Sequence, residues 1–160
     1  MMHFPSPQPP RGGAPVGVLS ELPPVELAAI LYLRHWFSGN QEQVWRDFST
    51  NFSRADAAVA MASFEDLMRA VQHNTRRPLM RHSPECECFG GDECTFAHFI
   101  AAATHGDEHD AMTFALHLFD GVQAKCALGA AAMCGHAFFS MADRSKRSHA
   151  PTHPSPRLKQ

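Results

Sequence analysis

Between Pro23 and Asp143 the apolar residues recur every three or four positions, the spacing that lines one face of an α-helix. Leu27, Ile30, Leu31, Leu33 and Phe37 form the first such stripe. Pro23 and Pro24 stand at its head, where proline is tolerated because the N–H it lacks would have no intrahelical partner. Gly39 ends the helix. Asn40, with Gln43 three residues on, predicts the cap of a second helix carrying Val44, Phe48 and Phe52. Ser53 and Asp56 repeat the start signal for a longer third helix bearing Ala57, Ala60, Met61, Phe64, Leu67, Met68 and Val71.

Pro78 interrupts the periodicity, and no repeat returns before Gly91, so this stretch reads as a loop. Asp92 predicts the cap of a helix with Phe96, Phe99, Ile100 and Ala103. Gly106 breaks it, Asp107 opens another with Ala111, Phe114, Ala115 and Leu118, and a last helix begins near Gly121. That helix carries Val122, Cys126, Gly129, Ala130, Met133, Ala137 and Met141. Its small residues allow close backbone approach, which suits a central position or contact with a second copy of the chain. No alternating β-branched run competes, so strands are not expected. The pattern predicts an all-α fold, a compact bundle of about six helices joined by short connections. Trp36, Trp45, Phe48 and Phe52 are most simply core residues. Proline- and glycine-rich residues 1–16 and the tail 144–160 read as disordered arms around one helical domain, 17–143.

Composition sharpens this picture in three ways. A chain of 160 residues suits a single domain. Its net charge of −2 is unevenly spread: all 16 acidic residues lie between Glu21 and Asp143 with eight basic ones, a net of −8. The segment after Asp143 holds Arg144, Lys146, Arg147, Arg157 and Lys159 and no acid, and reads as a solvated basic tail. The start, Met1-Met2-His3-Phe4-Pro5, has neither the basic nor the apolar region of a secretory signal. Five cysteines, an odd number, then point to reduced thiols in a cytoplasm instead of a disulfide framework. The apolar run from Cys126 to Ala142 is shorter than the ~20 residues a membrane span needs and is diluted by Gly129, Gly135, His136 and Ser140.

The candidate chemistry sits in the central loop. Three of the five cysteines, Cys86, Cys88 and Cys94, fall within nine residues, and His98 follows. Thiolate and imidazole are the donors zinc prefers, and four of them close a structural site. Cys94 and His98, four apart at a helix start, share a face. Gly90 and Gly91 permit the turn that brings Cys86 and Cys88 over that helix end, whose partial positive charge favours thiolate. The predicted metal set is therefore Cys86, Cys88, Cys94 and His98, with His82 in reserve should one cysteine turn away. Glu85 and Glu87 read as solvated. Two other readings stay open. The cysteines serve a redox or iron–sulfur sensor, or there is no metal and Cys94 packs as a small apolar residue.

Two resemblances attach to these residues. Cys88-x5-Cys94-x3-His98, with Gly91-Asp92 before and Phe96 within, resembles the second half of a CCCH zinc finger, a family that binds single-stranded RNA by stacking aromatic side chains on bases. Where that family has its first cysteine, this chain has Arg81 or His82, so the match covers about eleven residues and nucleic acid is not the expected partner. The stretch from Arg76 to Leu118 resembles small helical proteins of alphaproteobacteria, a likeness that implies a bacterial cytoplasm and no activity.

Other candidates carry less. Cys126 and Cys134 fall on the apolar stripe of the last helix and read as core thiols. His105, His109 and His117 read as surface residues, since Gly106 breaks the helix between the first two and two turns separate the others. The chain contains no phosphate loop, nucleophile elbow or dinucleotide fingerprint. A Cys–His nucleophile pair stays open because such pairs meet in space. The reading that results is a small cytoplasmic interaction or regulatory protein with a protein partner and one structural zinc.

Overall fold

The computed structural model describes residues 11–150. The three-to-four spacing of apolar residues becomes six α-helices: α1 (Pro24–Phe37), α2 (Gln41–Asn51), α3 (Arg54–His73), α4 (Gly91–His105), α5 (Glu108–Leu118) and α6 (Gly121–Ser148). Pro24 occupies the first helical position of α1. The Ser53, Asp107 and Asp120 side chains accept from the backbone N–H three residues on, satisfying donors that a helix start leaves unpaired. Two start signals work otherwise than predicted. Asn40 precedes α2 but makes no cap bond, and its amide sits 3.4 Å from His35 Nδ1 instead. At α4 the helix begins before Asp92: Gly90 is the capping position, and the Glu93 side chain reaches back to accept from Gly90 N–H. Gly106 closes α4 with φ of +75°, a left-handed conformation that glycine adopts without Cβ strain.

The helices enclose one core. Phe48, Phe64 and Phe138 gather around Tyr32, whose hydroxyl donates to Asp47 at 2.8 Å. Ile30, Leu33, Met61, Met68, Phe96, Phe99 and Phe119 fill the space between α1, α3, α4 and α5. As its small residues predicted, α6 lies centrally, packed on α1, α3, α4 and α5. At its middle, Gly135 faces α4 so closely that a Cβ there would overlap the Thr104 hydroxyl and stand 2.9 Å from Thr104 Cβ and 3.3 Å from Ile100 Cγ2. Cys134 is a core thiol as expected, whereas Cys126 lies exposed, beside the groove between α3 and α6. Trp45 also departs from expectation: it is 43% exposed, one position along from the buried Val44.

Strands were not expected, yet a short two-stranded antiparallel sheet is present. β1 (Pro15–Val18) pairs with β2 (Cys88–Gly90), setting Val18 opposite Cys88 and Gly17 opposite Phe89. Residues 15 and 16, assigned by the sequence to a disordered arm, thus lie in a strand, and residues 144–148, assigned to a disordered tail, complete the last turns of α6. Residues 1–10 and 151–160 of those two arms lie outside the described residues. The long connection after α3 is fastened at its start: Arg76 N–H donates to Leu118 O, and Arg76 Nε to the carbonyls of Leu116 and Phe119. No helix among the described residues is long and apolar enough to cross a membrane.

The close α4–α6 contact yields a stability test. Gly135→Ala is expected to cost about 1–3 kcal/mol through overpacking, read as a lower urea midpoint at unchanged m. Adding Thr104→Ala should recover part of that loss, because it removes the hydroxyl that the new methyl overlaps while Thr104 Cβ and Ile100 remain.

Candidate metal centre

Arg34 and Glu93, two charged side chains that are 0% exposed, organise the region around the central loop. Each lies on an apolar helical stripe: Arg34 with Ile30 and Leu33 on α1, Glu93 with Phe96, Ala97 and Ile100 on α4. Arg34 Nε donates to Glu93 Oε1 at 2.7 Å and one terminal nitrogen to Oε2 at 3.0 Å. The remaining guanidinium hydrogens go to the loop backbone, to Ser83 O at 3.2 Å, Cys86 O at 2.7 Å and Cys88 O at 2.7 Å. All five N–H donors of the guanidinium are thereby used. Glu93 takes two further bonds from the same loop, from His82 N–H at 3.1 Å and Gly90 N–H at 3.0 Å. Buried charge is tolerated only when fully hydrogen-bonded, and here the partners are the backbone of residues 82–90. Next to it, Asp92 accepts both prongs of Arg77 at 2.7 Å and the Met80 N–H at 2.8 Å. Burial alone would raise the Asp92 carboxyl, but the Arg77 fork and the Met80 N–H outweigh it and hold the group below its ordinary value.

Pinned in this way, the loop brings three donor side chains together. Cys86 Sγ and Cys88 Sγ are 3.0 Å apart, and His82 Nδ1 lies 3.4 Å from the first and 3.3 Å from the second. All three residues are half-buried. The corners of that triangle lie about 1.9 Å from its centre, less than the about 2.0–2.3 Å of zinc–nitrogen and zinc–sulfur bonds. His82 Nδ1, Cys86 Sγ and Cys88 Sγ are the atoms that would hold such an ion. The other histidine nitrogen, Nε2, is 2.8 Å from Gly13 O. A carbonyl only accepts, so Nε2 carries a hydrogen and, in the neutral ring, Nδ1 presents its lone pair to the two sulfurs. A backbone carbonyl holding the far N–H of the ring is the usual support of a metal-ligating histidine. Among the described residues no other group of three His, Cys, Asp or Glu side chains converges in this way.

The sequence-predicted set is thus divided. Cys86 and Cys88 meet, and the partner that joins them is His82, not Cys94 or His98. Successive helix residues are turned by about 100°, so with Glu93 facing the loop its neighbour Cys94 cannot face it as well. Cys94 packs half-buried at the edge of the core, where burial raises its thiol pKa. His98, on the same side of α4, is exposed and stacks on Phe114 with ring centroids 5.3 Å apart. Glu85 and Glu87 are exposed, as are His105, His109 and His117, all as expected. The contiguous spacing His82-x3-Cys86-x-Cys88 was the signal for the observed trio. For Arg34 and Glu93 the signal was a charge lying on an apolar stripe, and sequence reasoning passed over it.

The trio also shares protons unevenly. The Cys86 thiol is lowered to about 7 by the hydrogen bond from Cys88 and then by His82, which donates through Nδ1 when its ring is protonated. Cys88 is raised, chiefly because it donates to Cys86, with burial adding to the shift. The bond to Cys86 likewise raises His82 against the opposing effect of burial. Deep in the core, burial pushes Cys134 up to about 12. A cavity of about 510 Å³ lies apart from these residues among α1, α2 and α6, lined by Tyr32, Asp47, Asn51, Phe138 and Arg144.

Comparison with protein-family models, with curated proteins and with solved structures finds no match to this chain.

Two expectations follow from this geometry. Arg34→Met should destabilise the fold by about 3–5 kcal/mol in urea unfolding, because it strands a buried carboxylate. Arg34→Met with Glu93→Leu should remain destabilised, since the Ser83, Cys86 and Cys88 carbonyls still lose their donors. In metal-free protein, alkylation of Cys86 by iodoacetamide should rise through a midpoint of about pH 7, thiolate prevailing above it, while Cys134 stays unmodified until the chain unfolds. Quantitative mass spectrometry of the alkylated peptides separates the two.

Proposed function

We propose that this chain is a small metal-binding helical protein in which His82, Cys86 and Cys88 hold one zinc ion, and that it serves as a regulatory or interaction module and not as an enzyme. The observation that carries this reading is the convergence of two sulfurs and an imidazole nitrogen within 3.4 Å of one another, the ring's far nitrogen held by a carbonyl. Two thiolates and one imidazole form a borderline-soft donor set that suits zinc above magnesium or calcium, which take oxygen. Three donors from the chain leave one position of a tetrahedral ion for a water molecule or another donor. The ion would tie the loop segment 82–88 to itself, beside β1, just past which Leu19 N–H donates to Glu87 O at 2.8 Å. Its chief effect would be to stiffen the surface that the loop and β1 form, the contact offered to a protein partner in a reducing, cytoplasmic setting. All five cysteines are free thiols, which agrees with that setting.

Elemental analysis of protein purified without a histidine tag tests the reading directly. About one equivalent of zinc is expected, and less than about a tenth of an equivalent after incubation with zinc would overturn it. His82→Ala and Cys88→Ser should each lose the metal, while Cys94→Ser and His98→Ala should retain it. At zinc concentrations near 100 times the dissociation constant, the metal should raise Tm by roughly 5–10 °C, and a chelator should reverse the shift.

A further inference from the structure

We propose that Cys86 and Cys88 are a peroxide-responsive dithiol whose closure to a disulfide expels the metal ion, a regulation of the same site that rests on the zinc reading above. The geometry supplies what such a step requires. The two sulfurs are 3.0 Å apart, and a disulfide needs about 2.0 Å. The sulfurs need to close by about 1 Å, at a segment whose Cys86 and Cys88 carbonyls are held by Arg34. Both thiols are half-buried and open to a small oxidant on one side. Cys134 is sealed in the core, and Cys126 is exposed beside the groove between α3 and α6 with no second thiol lining it. Cys94 is outside the cluster. No other pair of sulfurs among the described residues is placed for the same reaction.

The oxidant is a hydroperoxide, hydrogen peroxide in the simplest case. One sulfur, as thiolate, attacks an oxygen: an S–O bond forms, the O–O bond breaks, and the departing hydroxide takes a proton to leave as water. The product is a sulfenic acid. The second sulfur, 3.0 Å away, then attacks the first. The S–S bond forms, the S–O bond breaks, and the second hydroxide leaves as water. Its proton comes from the second thiol in the metal-free chain, where His82 Nδ1 lies within 3.4 Å of both sulfurs to carry it. In the metal-loaded chain, where both sulfurs are already thiolates, it comes from solvent. In sum, the two sulfurs lose two electrons, and one peroxide takes up two electrons and two protons to become two waters. Disulfide sulfurs are no longer thiolates, so the ion keeps His82 as its one ligand from the trio and departs. A disulfide spanning a single residue closes a tight ring, and strained, exposed disulfides are the readily reduced ones, so thiol reductants should restore the dithiol.

The test uses the full chain in zinc-loaded and metal-free forms, each treated with hydrogen peroxide and followed by a chromogenic zinc chelator, intact mass and peptide mapping. Zinc release and a loss of about 2 Da should advance together, the link should map to Cys86–Cys88, and dithiothreitol should reverse both. Cys126→Ser should behave like the parent. Cys88→Ser should show no loss of 2 Da and instead gain about 16 Da at Cys86, trapped as a sulfenic acid. Its circular dichroism should match the parent's, which separates loss of the reaction from loss of the fold. A zinc-loaded chain that forms no Cys86–Cys88 link, or that oxidises first at Cys126, overturns the switch and leaves the metal reading intact. A chain that takes up no zinc yet forms the link overturns the metal reading and the release step with it, while the dithiol chemistry stands.

Discussion

The buried pair of Arg34 and Glu93 is the constraint from which the rest of the functional region follows. A guanidinium and a carboxylate with no exposure are stable in a protein interior only when every donor and acceptor is met. The pair cannot do this alone, since Glu93 uses two of the five guanidinium hydrogens. The other three need carbonyls, and Glu93 has room for two more N–H groups. Residues 82–90 supply both. Desolvated charge on α1 and α4 therefore dictates the path of a loop that has no secondary structure of its own along most of its length, and the loop's path dictates where its side chains meet.

That arrangement explains why the donor trio can be orderly on a loop. Thiols separated by a single residue tend to splay, because alternate residues of an extended chain point the same way but stay several ångströms apart. Here the carbonyls of Cys86 and Cys88 are drawn to one guanidinium, and this curls the segment so that their sulfurs approach. His82 is set by Glu93 at its backbone and by Gly13 O at its ring. The N-terminal segment is thus part of the site's support. β1 lies along β2 and carries Gly13 to the imidazole, which ties the donor trio to residues some seventy positions earlier in the chain.

Much of the helical frame was legible in the sequence, and particular residues show why. Pro24, Ser53, Gly106, Asp107 and Asp120 act within a few residues of themselves, so their effect on helix ends is local. Where two local signals compete, the outcome passes to packing. Asp92 and Glu93 were both able to start α4, and the helix took Glu93 as its reciprocal cap because Asp92 is engaged by Arg77. The metal set divided for the same reason. A shared face for Cys94 and His98 follows from helical spacing, but which way that face points depends on Glu93 being held by Arg34, 59 residues distant.

By itself, then, the sequence determined that the chain folds as six amphipathic helices with a cysteine-rich connection between the third and fourth, because hydrophobic periodicity and capping are written in near neighbours. Only the tertiary structure decided that His82 joins Cys86 and Cys88, that Cys94 and His98 turn elsewhere, and that residues 15–18 become a strand. The first two rest on long-range hydrogen bonds that satisfy a buried ion pair, and the third on backbone pairing of β1 with β2. No periodicity encodes them, because the partners become neighbours only once α1 and α4 have packed.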